Sequence, residues 1–180
     1  MKSLIFFYES IAEWEAAPVS YLLSTAGKVD TFGLTNETVK GFCSLRLTPE
    51  YTIDQIKVDD YDVLIIPGGY SDKYKGEEKL FELIRKFNDS GKILGAICGG
   101  PAALFWAGVL EGKKFTTSHS EGEIEGFDFT NYIDDYAVTD GNIITAKGEG
   151  FTEFAVNVGD ALNLFKKEDR NQFIGWFRHP

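Results

Sequence analysis

Cysteine and histidine are scarce in this chain, with two residues of each type among 180. Two cysteines are too few for the disulfide framework of a small secreted protein. In a reducing compartment a lone cysteine is more often catalytic or redox-active than bridged. The first residues hold only a short apolar run that ends at Glu9, so no signal peptide is expected. These features predict a cytoplasmic protein.

Basic residues and long apolar segments are lacking as well. Lys and Arg number 18 against 28 Asp and Glu, which gives a net charge of -10. A nucleic-acid-binding surface needs a basic patch, so we expect no nucleic-acid partner. No apolar stretch approaches the ~20 residues that cross a bilayer, so we expect no membrane span. Glycine-rich phosphate-binding motifs and zinc or calcium ligand spacings are missing too, so the sequence predicts neither a metal nor another cofactor.

What the chain does contain is an alternation of strand-length apolar segments with amphipathic helical segments. Strands are predicted at residues 3–8, 29–34, 61–66 and 93–97, short edge strands within 39–47, and a hairpin at 136–146 around Asp140-Gly141. Helices are predicted to begin at Pro18, to cover residues 80–87, to follow residue 100, and to occupy 154–165 and the tail. Residues 112–135 are predicted to be mostly loop.

This alternation is typical of the α/β class, with a mostly parallel, doubly wound sheet in a flavodoxin-like three-layer sandwich. With 180 residues the chain fits one domain, which we place at residues 1–165, with residues 166–180 as its C-terminal helical tail. In such sheets ligands bind outside the carboxyl ends of the strands. We therefore expect the loops after the first, third and fourth of the main strands to meet.

Cys98 lies where the apolar run at 93–97 meets a predicted helix, and it is followed by Gly99, Gly100 and Pro101. The glycines permit a strained turn, and proline suits the first turn of a helix. This arrangement is a nucleophile elbow with sulfur in place of a serine oxygen. A helix N-terminus favours thiolate, so we expect a lowered pKa for Cys98. The alternative is a small apolar side chain beneath the helix, the structural role that we assign to Cys43.

A nucleophilic thiol needs groups that manage its proton and stabilise an oxyanion. Gly69 and Gly99 follow two strands, so their N–H groups are candidates for the oxyanion site; the alternative for Gly69 is a simple turn. His119 is the candidate base, although a lone loop histidine is often only solvated. Glu15 follows the first strand and is the candidate acid. Glu9 and Glu13 fit that role equally well by pattern, and acids are favoured at a helix start for electrostatic reasons alone.

Two motifs, DVLIIPGG at residues 62–69 and AICGGP at residues 96–101, resemble those of the ThiJ/PfpI superfamily. The resemblance extends from the first strand to about residue 165. It implies the fold of class I glutamine amidotransferase domains, in a group that includes the Parkinson-disease protein deglycase and intracellular proteases. By this resemblance Cys98 matches the family nucleophile, Glu15 the acid that hydrogen-bonds it, and His119 the histidine of the deglycase branch. Gly69 and Gly99 match the backbone donors.

The sequence departs from this family pattern at two places. Gly99 stands where the protease-like branch has a histidine, and residues 147–150 (KGEG) lack the histidine of the amidotransferase branch. Both departures argue against those two kinds of catalytic dyad or triad. Trp14, Tyr70, Trp106 and the loop at residues 112–135 are expected to set the size of the pocket.

The predicted function is a cysteine-dependent hydrolase: an amidase or peptidase, a deglycase or a glyoxalase-like enzyme acting on a small-molecule or peptide substrate. The alternative is a non-catalytic oxidative-stress sensor or chaperone, in which Cys98 oxidises to a sulfinic acid held by a protonated Glu15. A third possibility is a partner-binding module that uses the aromatic tail. The family resemblance also implies a homodimer.

Overall fold

We describe the fold from a computed structural model, which describes residues 1–166 and 169–177. The central sheet has seven strands: β1 (Lys2–Phe6), β2 (Lys28–Gly33), β5 (Tyr51–Thr52), β6 (Val63–Ile66), β7 (Ile93–Ile97), β8 (Ala137–Asp140) and β9 (Ile143–Ala146). Their order across the sheet is β5-β2-β1-β6-β7-β9-β8, and every neighbouring pair is parallel except β8 with β9. The α/β class and the mostly parallel, doubly wound sheet are therefore confirmed.

In the described part of the chain, five α-helices flank the sheet: α1 (Glu13–Ala26), α2 (Glu78–Asp89), α3 (Pro101–Trp106), α4 (Phe151–Ala161) and α5 (Asp169–Phe177). Alternate strand residues point to opposite faces, so Leu4 and Leu64 pack with α2 and α3, while Ile5 and Ile65 pack with α1 and α4. The two apolar clusters give the three layers that the sequence predicted. Along the chain, β1 is followed by β2 on one side and later by β6 on the other, which leaves a crevice at their carboxyl ends.

The prediction that helix α1 begins at Pro18 is wrong, because the helix begins at Glu13 and carries Pro18 in its interior. Proline removes one helical hydrogen bond there. The buried side chains of Val19, Leu22 and Leu23 pack against the α4 side of the core, and this packing outweighs the local cost. Because the helix begins at Glu13, Glu15 lies in its first turn and not in the preceding loop.

The edge of the sheet also differs from expectation. Residues 39–47 form a separate antiparallel ladder of β3 (Val39–Lys40) and β4 (Arg46–Leu47), and the edge strand is β5, which the sequence pattern did not reveal. The hairpin of β8 and β9 is confirmed, but its two loop residues are Gly141 and Asn142, one position later than expected.

The predicted tail helix is present as α5, where Phe173 is buried against the α1–α4 side of the core. Arg170 pairs with Asp160 at 3.1 Å, and the exposed Trp176 ring contacts Tyr21. The ends of the predicted tail, including His179, lie outside the described residues. Within the described part of the chain, no helix is both long and apolar enough to span a bilayer.

Candidate active site

Cys98 occupies the predicted elbow between β7 and α3, with a backbone φ of 61°. Positive φ is strained for a residue with a Cβ and persists only when its surroundings enforce it. Here the Cys98 N–H donates to Ala146 O at 2.8 Å, and its carbonyl accepts from the Thr117 hydroxyl at 2.8 Å and the Ser118 N–H at 3.1 Å. These bonds fix the strained backbone and hold the side chain at the wall of a cavity.

Glu15 is the acid that the fold brings to this thiol, and only 2% of it is exposed. The other two acids that the sequence left open serve elsewhere, since Glu9 accepts from the Lys40 N–H at 2.9 Å and Glu13 accepts from the Cys43 N–H at 2.9 Å. The first bond joins the loop before α1 to the β3–β4 hairpin, and the second joins the first residue of α1 to the same hairpin. The structure therefore separates three acids that the pattern could not distinguish.

Two glycines make room for the Glu15–Cys98 pair. A Cβ on Gly68 would lie 1.9 Å from Glu15 Oε2 and 2.5 Å from Cys98 Cβ. A Cβ on Gly148 would lie 2.7 Å from Glu15 Oε1 and 3.2 Å from Cys98 Sγ. The acid and the thiol are therefore enclosed by backbone on both sides, in a space that excludes any larger residue.

Burial raises the pKa of Glu15 to about 7, while hydrogen bonding with the Cys98 thiol and the Gly68 N–H opposes this rise. Glu15 Oε2 is buried and has no partner within normal hydrogen-bond geometry, so these interactions offset only part of the effect of burial. A carboxyl with such a pKa holds or releases a proton near neutral pH. This is the property that a proton acceptor beside a nucleophile needs.

The expectation of a lowered thiol pKa is wrong in this structure. Burial and then the Glu15 charge raise the pKa of Cys98 to about 11, against a smaller lowering by Ser118 and by the Gly99 N–H. Helix α3 has only six residues, so its dipole is weak. Because the two groups interact strongly, their titration steps belong to the pair. Moving the proton from sulfur to Glu15 produces the thiolate without changing the charge of the pair.

Ser118 was not singled out from the sequence, yet its hydroxyl joins two parts of the site. It accepts the Gly148 N–H at 2.9 Å and hydrogen-bonds the Cys98 sulfur, which lowers the pKa of the thiol. Its only signal in the sequence is its position beside His119 in a run of polar residues.

His119 lines the same cavity as Cys98, as predicted, although its role as a base stays a prediction. Its Nδ1 lies 2.9 Å from Glu123 Oε1, and its Nε2 lies 3.4 Å from the Ser71 hydroxyl. Nε2 would be 3.6 Å from a Cβ on Gly99. Glu123 therefore orients the imidazole, a role that the sequence did not reveal. Within the described residues, no group of three His, Cys, Asp or Glu side chains is placed to hold a metal.

Gly69 and Gly99 both line the cavity, and the Gly99 N–H is directed at the Cys98 sulfur. A Cβ on Gly99 would lie 2.6 Å from the Gly69 carbonyl oxygen. Any residue larger than glycine at position 99 would therefore have to displace the loop that holds Gly69. The oxyanion role of the two glycines stays a prediction.

Tyr8 and Tyr74 hydrogen-bond the two loops that hold Gly69 and Gly99, and neither role was found from the sequence. Both are buried, and their rings meet edge-to-face with centroids 4.8 Å apart. The Tyr8 hydroxyl donates to Pro67 O at 3.1 Å, and the Tyr74 hydroxyl donates to Gly99 O at 3.1 Å. Burial raises the pKa of both phenols, so they remain protonated donors. Each tyrosine thus fixes one of the two loops that border the thiol.

We expect Tyr74→Phe to lower turnover about tenfold, because the Gly99 carbonyl loses the hydrogen bond that orients the elbow. The ring remains in place, so KM should change little. Steady-state kinetics give both values. Tyr21→Phe, which changes an exposed ring, is the control and should leave turnover unchanged. Equal turnover in the two variants would show that the Tyr74 hydroxyl does not position the site.

The cavity beside Cys98 has a volume of about 600 Å³. Trp14, Tyr70 and Trp106 line it, as the sequence predicted, and the 112–135 loop contributes Ile124. Phe42 from the β3–β4 hairpin also lines it, which the sequence did not indicate.

Comparison with known proteins gives a consistent result. The DJ-1/PfpI family model matches residues 1–160. An uncharacterized Methanocaldococcus jannaschii protein, MJ0967, is 35% identical over 150 residues, covering 81% of this chain and 73% of its own. Protein dj-1beta of Drosophila melanogaster is 32% identical over 166 residues, covering 89% and 88%. Glutathione-independent glyoxalase DJR-1.2 of Caenorhabditis elegans is 30% identical over 132 residues, covering 72% and 70%.

Other relatives differ in the activity that their names carry. Deglycase PfpI of Pyrococcus furiosus is 33% identical over 102 residues, covering 56% of this chain and 61% of its own. The protein named uncharacterized protease YoaZ of Bacillus subtilis is 26% identical over 189 residues, covering 91% and 84%. Among solved structures, the DJ-1 superfamily protein Atu0886 from Agrobacterium tumefaciens superposes with a TM-score of 0.87 at 26% identity, covering 96% and 95%.

Proposed function

Because this chain belongs to the DJ-1/PfpI family, in which relatives bear the names glyoxalase, deglycase and protease, we propose that it is a cysteine-dependent hydrolase or glyoxalase-like enzyme. One observation carries the proposal. Cys98, whose backbone is strained, shares a cavity wall with His119, and its thiol meets the buried Glu15 carboxyl, whose pKa is raised.

The proposed chemistry begins with transfer of the Cys98 thiol proton to Glu15. The thiolate attacks an electrophilic carbonyl carbon, a carbon–sulfur bond forms, and the carbonyl electron pair moves to oxygen. In this proposal the backbone N–H groups of Gly69 and Gly99, two residues that line the cavity, would stabilise the oxyanion. With an amide or peptide, the oxyanion collapses, the carbon–nitrogen bond breaks, the amine takes the proton from Glu15 or His119, and water hydrolyses the resulting thioester. With a dicarbonyl, the oxyanion is protonated to a hemithioacetal, Glu15 or His119 moves the proton of its carbon to the neighbouring carbonyl carbon, and water hydrolyses the thioester that this shift forms.

A second candidate function is a redox sensor without turnover. The observation that favours it is that Glu15 Oε2 is buried and has no partner within normal hydrogen-bond geometry. Hydrogen peroxide would convert the Cys98 thiolate to a sulfinic acid in two oxygen-transfer steps, each releasing water. A protonated Glu15 would then donate a hydrogen bond to a sulfinate oxygen.

A turnover screen separates the two functions. Methylglyoxal, simple amides and peptides are incubated with the protein, with Cys98→Ser as the blank. Cys98-dependent product formation supports the enzyme, and turnover that survives in Cys98→Ser contradicts it. If no compound is consumed and mild peroxide adds two oxygen atoms at Cys98 but not at Cys43, the sensor function is favoured.

We further propose that the protein acts in the cytoplasm as a homodimer without nucleic-acid or membrane partners. The support is the family resemblance and the net charge of -10. Light scattering of the purified chain tests the dimer directly.

A further inference from the structure

Three aromatic side chains form a continuous surface at the mouth of the Cys98 cavity. Trp14, Phe42 and Tyr70 all line the cavity, and we call them the aromatic strip. The Phe42 ring lies 5.8 Å from Trp14 and 4.7 Å from Tyr70, measured between centroids. The three residues are also 42–56% exposed, so much of the apolar surface of the strip is open to solvent.

The β3–β4 hairpin is fixed so that Phe42 stays in this position. Buried Glu13 accepts the N–H groups of Cys43 at 2.9 Å and Leu45 at 3.3 Å, and the Phe42 N–H donates to Ile11 O at 2.9 Å. A Cβ on Gly41 would lie 2.1 Å from the Glu13 carboxyl carbon, so the loop packs directly on this acid. The strip is therefore preorganised, and binding to it costs little ordering.

The size of the cavity points to a ligand larger than a three-carbon dicarbonyl. Its volume of about 600 Å³ falls in the range that holds drug-sized molecules. We propose that the substrate bears an aromatic ring on or near its electrophilic carbonyl, and that this ring packs on the aromatic strip while the carbonyl reaches Cys98. This inference rests on the proposed function and adds the substrate class.

Charge favours a small molecule over a second copy of the chain as the occupant of the strip. Asp72, Glu123 and Glu125 line the same cavity and outnumber its one lysine, Lys75, and the whole chain carries a net charge of -10. Two copies joined at this surface would bring these carboxylates toward one another, which is unfavourable. An uncharged aromatic substrate meets no such repulsion.

The test compares the alkylation of Cys98 by iodoacetamide and by its phenyl analogue iodoacetanilide, both uncharged. Rates at Cys98 are read by peptide-resolved mass spectrometry. The ratio of the iodoacetanilide rate to the iodoacetamide rate is then divided by the same ratio for 2-mercaptoethanol, which removes the difference in intrinsic reactivity. We expect a normalised preference for the phenyl reagent of at least about fivefold, because an added aromatic contact is worth this much. Phe42→Ala and Tyr70→Ala should each remove most of it. Leu45→Ala, an exposed change on the same hairpin outside the cavity, should preserve it.

Each outcome bears on the strip separately from the reaction. A normalised ratio near one, or a preference that survives in both alanine variants, overturns the inference even if the protein turns over dicarbonyls. A preference for the phenyl reagent without any turnover supports ring binding at the aromatic strip and contradicts the proposed enzymatic function. Conversion of a dimer to a monomer by Phe42→Ala in light scattering also overturns it, since the strip would then serve association.

Discussion

Replacing Glu15 with glutamine should stabilise the fold at pH 8 by about 3 kcal/mol, and it should reduce any Cys98-dependent turnover by about 100-fold. The stability gain arises because the side chain is 2% exposed and its pKa rises in the folded state from the ordinary 4.5 to about 7. Glutamine has nearly the same shape and never ionises, so it avoids the burial of a charge.

The sign of the pH dependence of stability follows from the number of protons that each state binds. Below pH 4.5 Glu15 is protonated in both states and contributes no difference. Between pH 4.5 and about 7 the folded state binds the proton and the unfolded state does not, so stability falls as pH rises. Above about pH 7 the loss is complete. The advantage of Glu15→Gln should therefore be near zero at pH 4 and reach its full size above pH 7.

Urea unfolding of both proteins at pH 4, 6 and 8 measures this effect. Glu37→Gln changes an exposed acid and serves as the control, for which we expect little difference at any pH. A second measurement uses the pH dependence of Cys98 alkylation, in which an inflection near pH 7 in the parent should be missing in Glu15→Gln. A Glu15→Gln protein that is no more stable than the parent at pH 8 would show that the carboxyl carries no burial penalty.

The centre of the site could be predicted from the sequence because its signals are local. The apolar run at β7, the two glycines and Pro101 are neighbours in sequence, and each restricts the same turn. Strand and helix alternation likewise fixed the sheet class. The start of α1 was missed because Pro18 is a local signal that core packing overrides.

The supporting residues could not be predicted because their roles depend on contacts between distant segments. Tyr74 meets Gly99 across 25 positions and Tyr8 meets Pro67 across 59, and neither tyrosine lies in a recognisable motif. The thiol pKa was predicted in the wrong direction for a similar reason. The helix start is visible in the sequence, whereas the burial of the thiol, and then the charge of Glu15 beside the sulfur, are seen only in the fold.

Gly68→Ala should reduce Cys98-dependent turnover by about 100-fold or more, because an ångström of misplacement at reacting groups has this effect. The added methyl would lie 1.9 Å from Glu15 Oε2 and 2.5 Å from Cys98 Cβ, which is closer than atoms can approach. The acid or the thiol must therefore move. Overpacking of this kind also costs about 1–3 kcal/mol of stability.

Gly175→Ala is the matched control, because nothing lies within 4 Å of the position that its Cβ would take in helix α5. Alanine favours a helix over glycine, so this change should leave turnover intact and stability equal or slightly higher. Kinetics and urea unfolding of both variants measure the contrast. If Gly68→Ala retained the turnover of the control, the close enclosure of Glu15 and Cys98 would not be needed for the reaction. A folded but inactive Gly68→Ala protein, in contrast, would show that the position of these two side chains limits the rate.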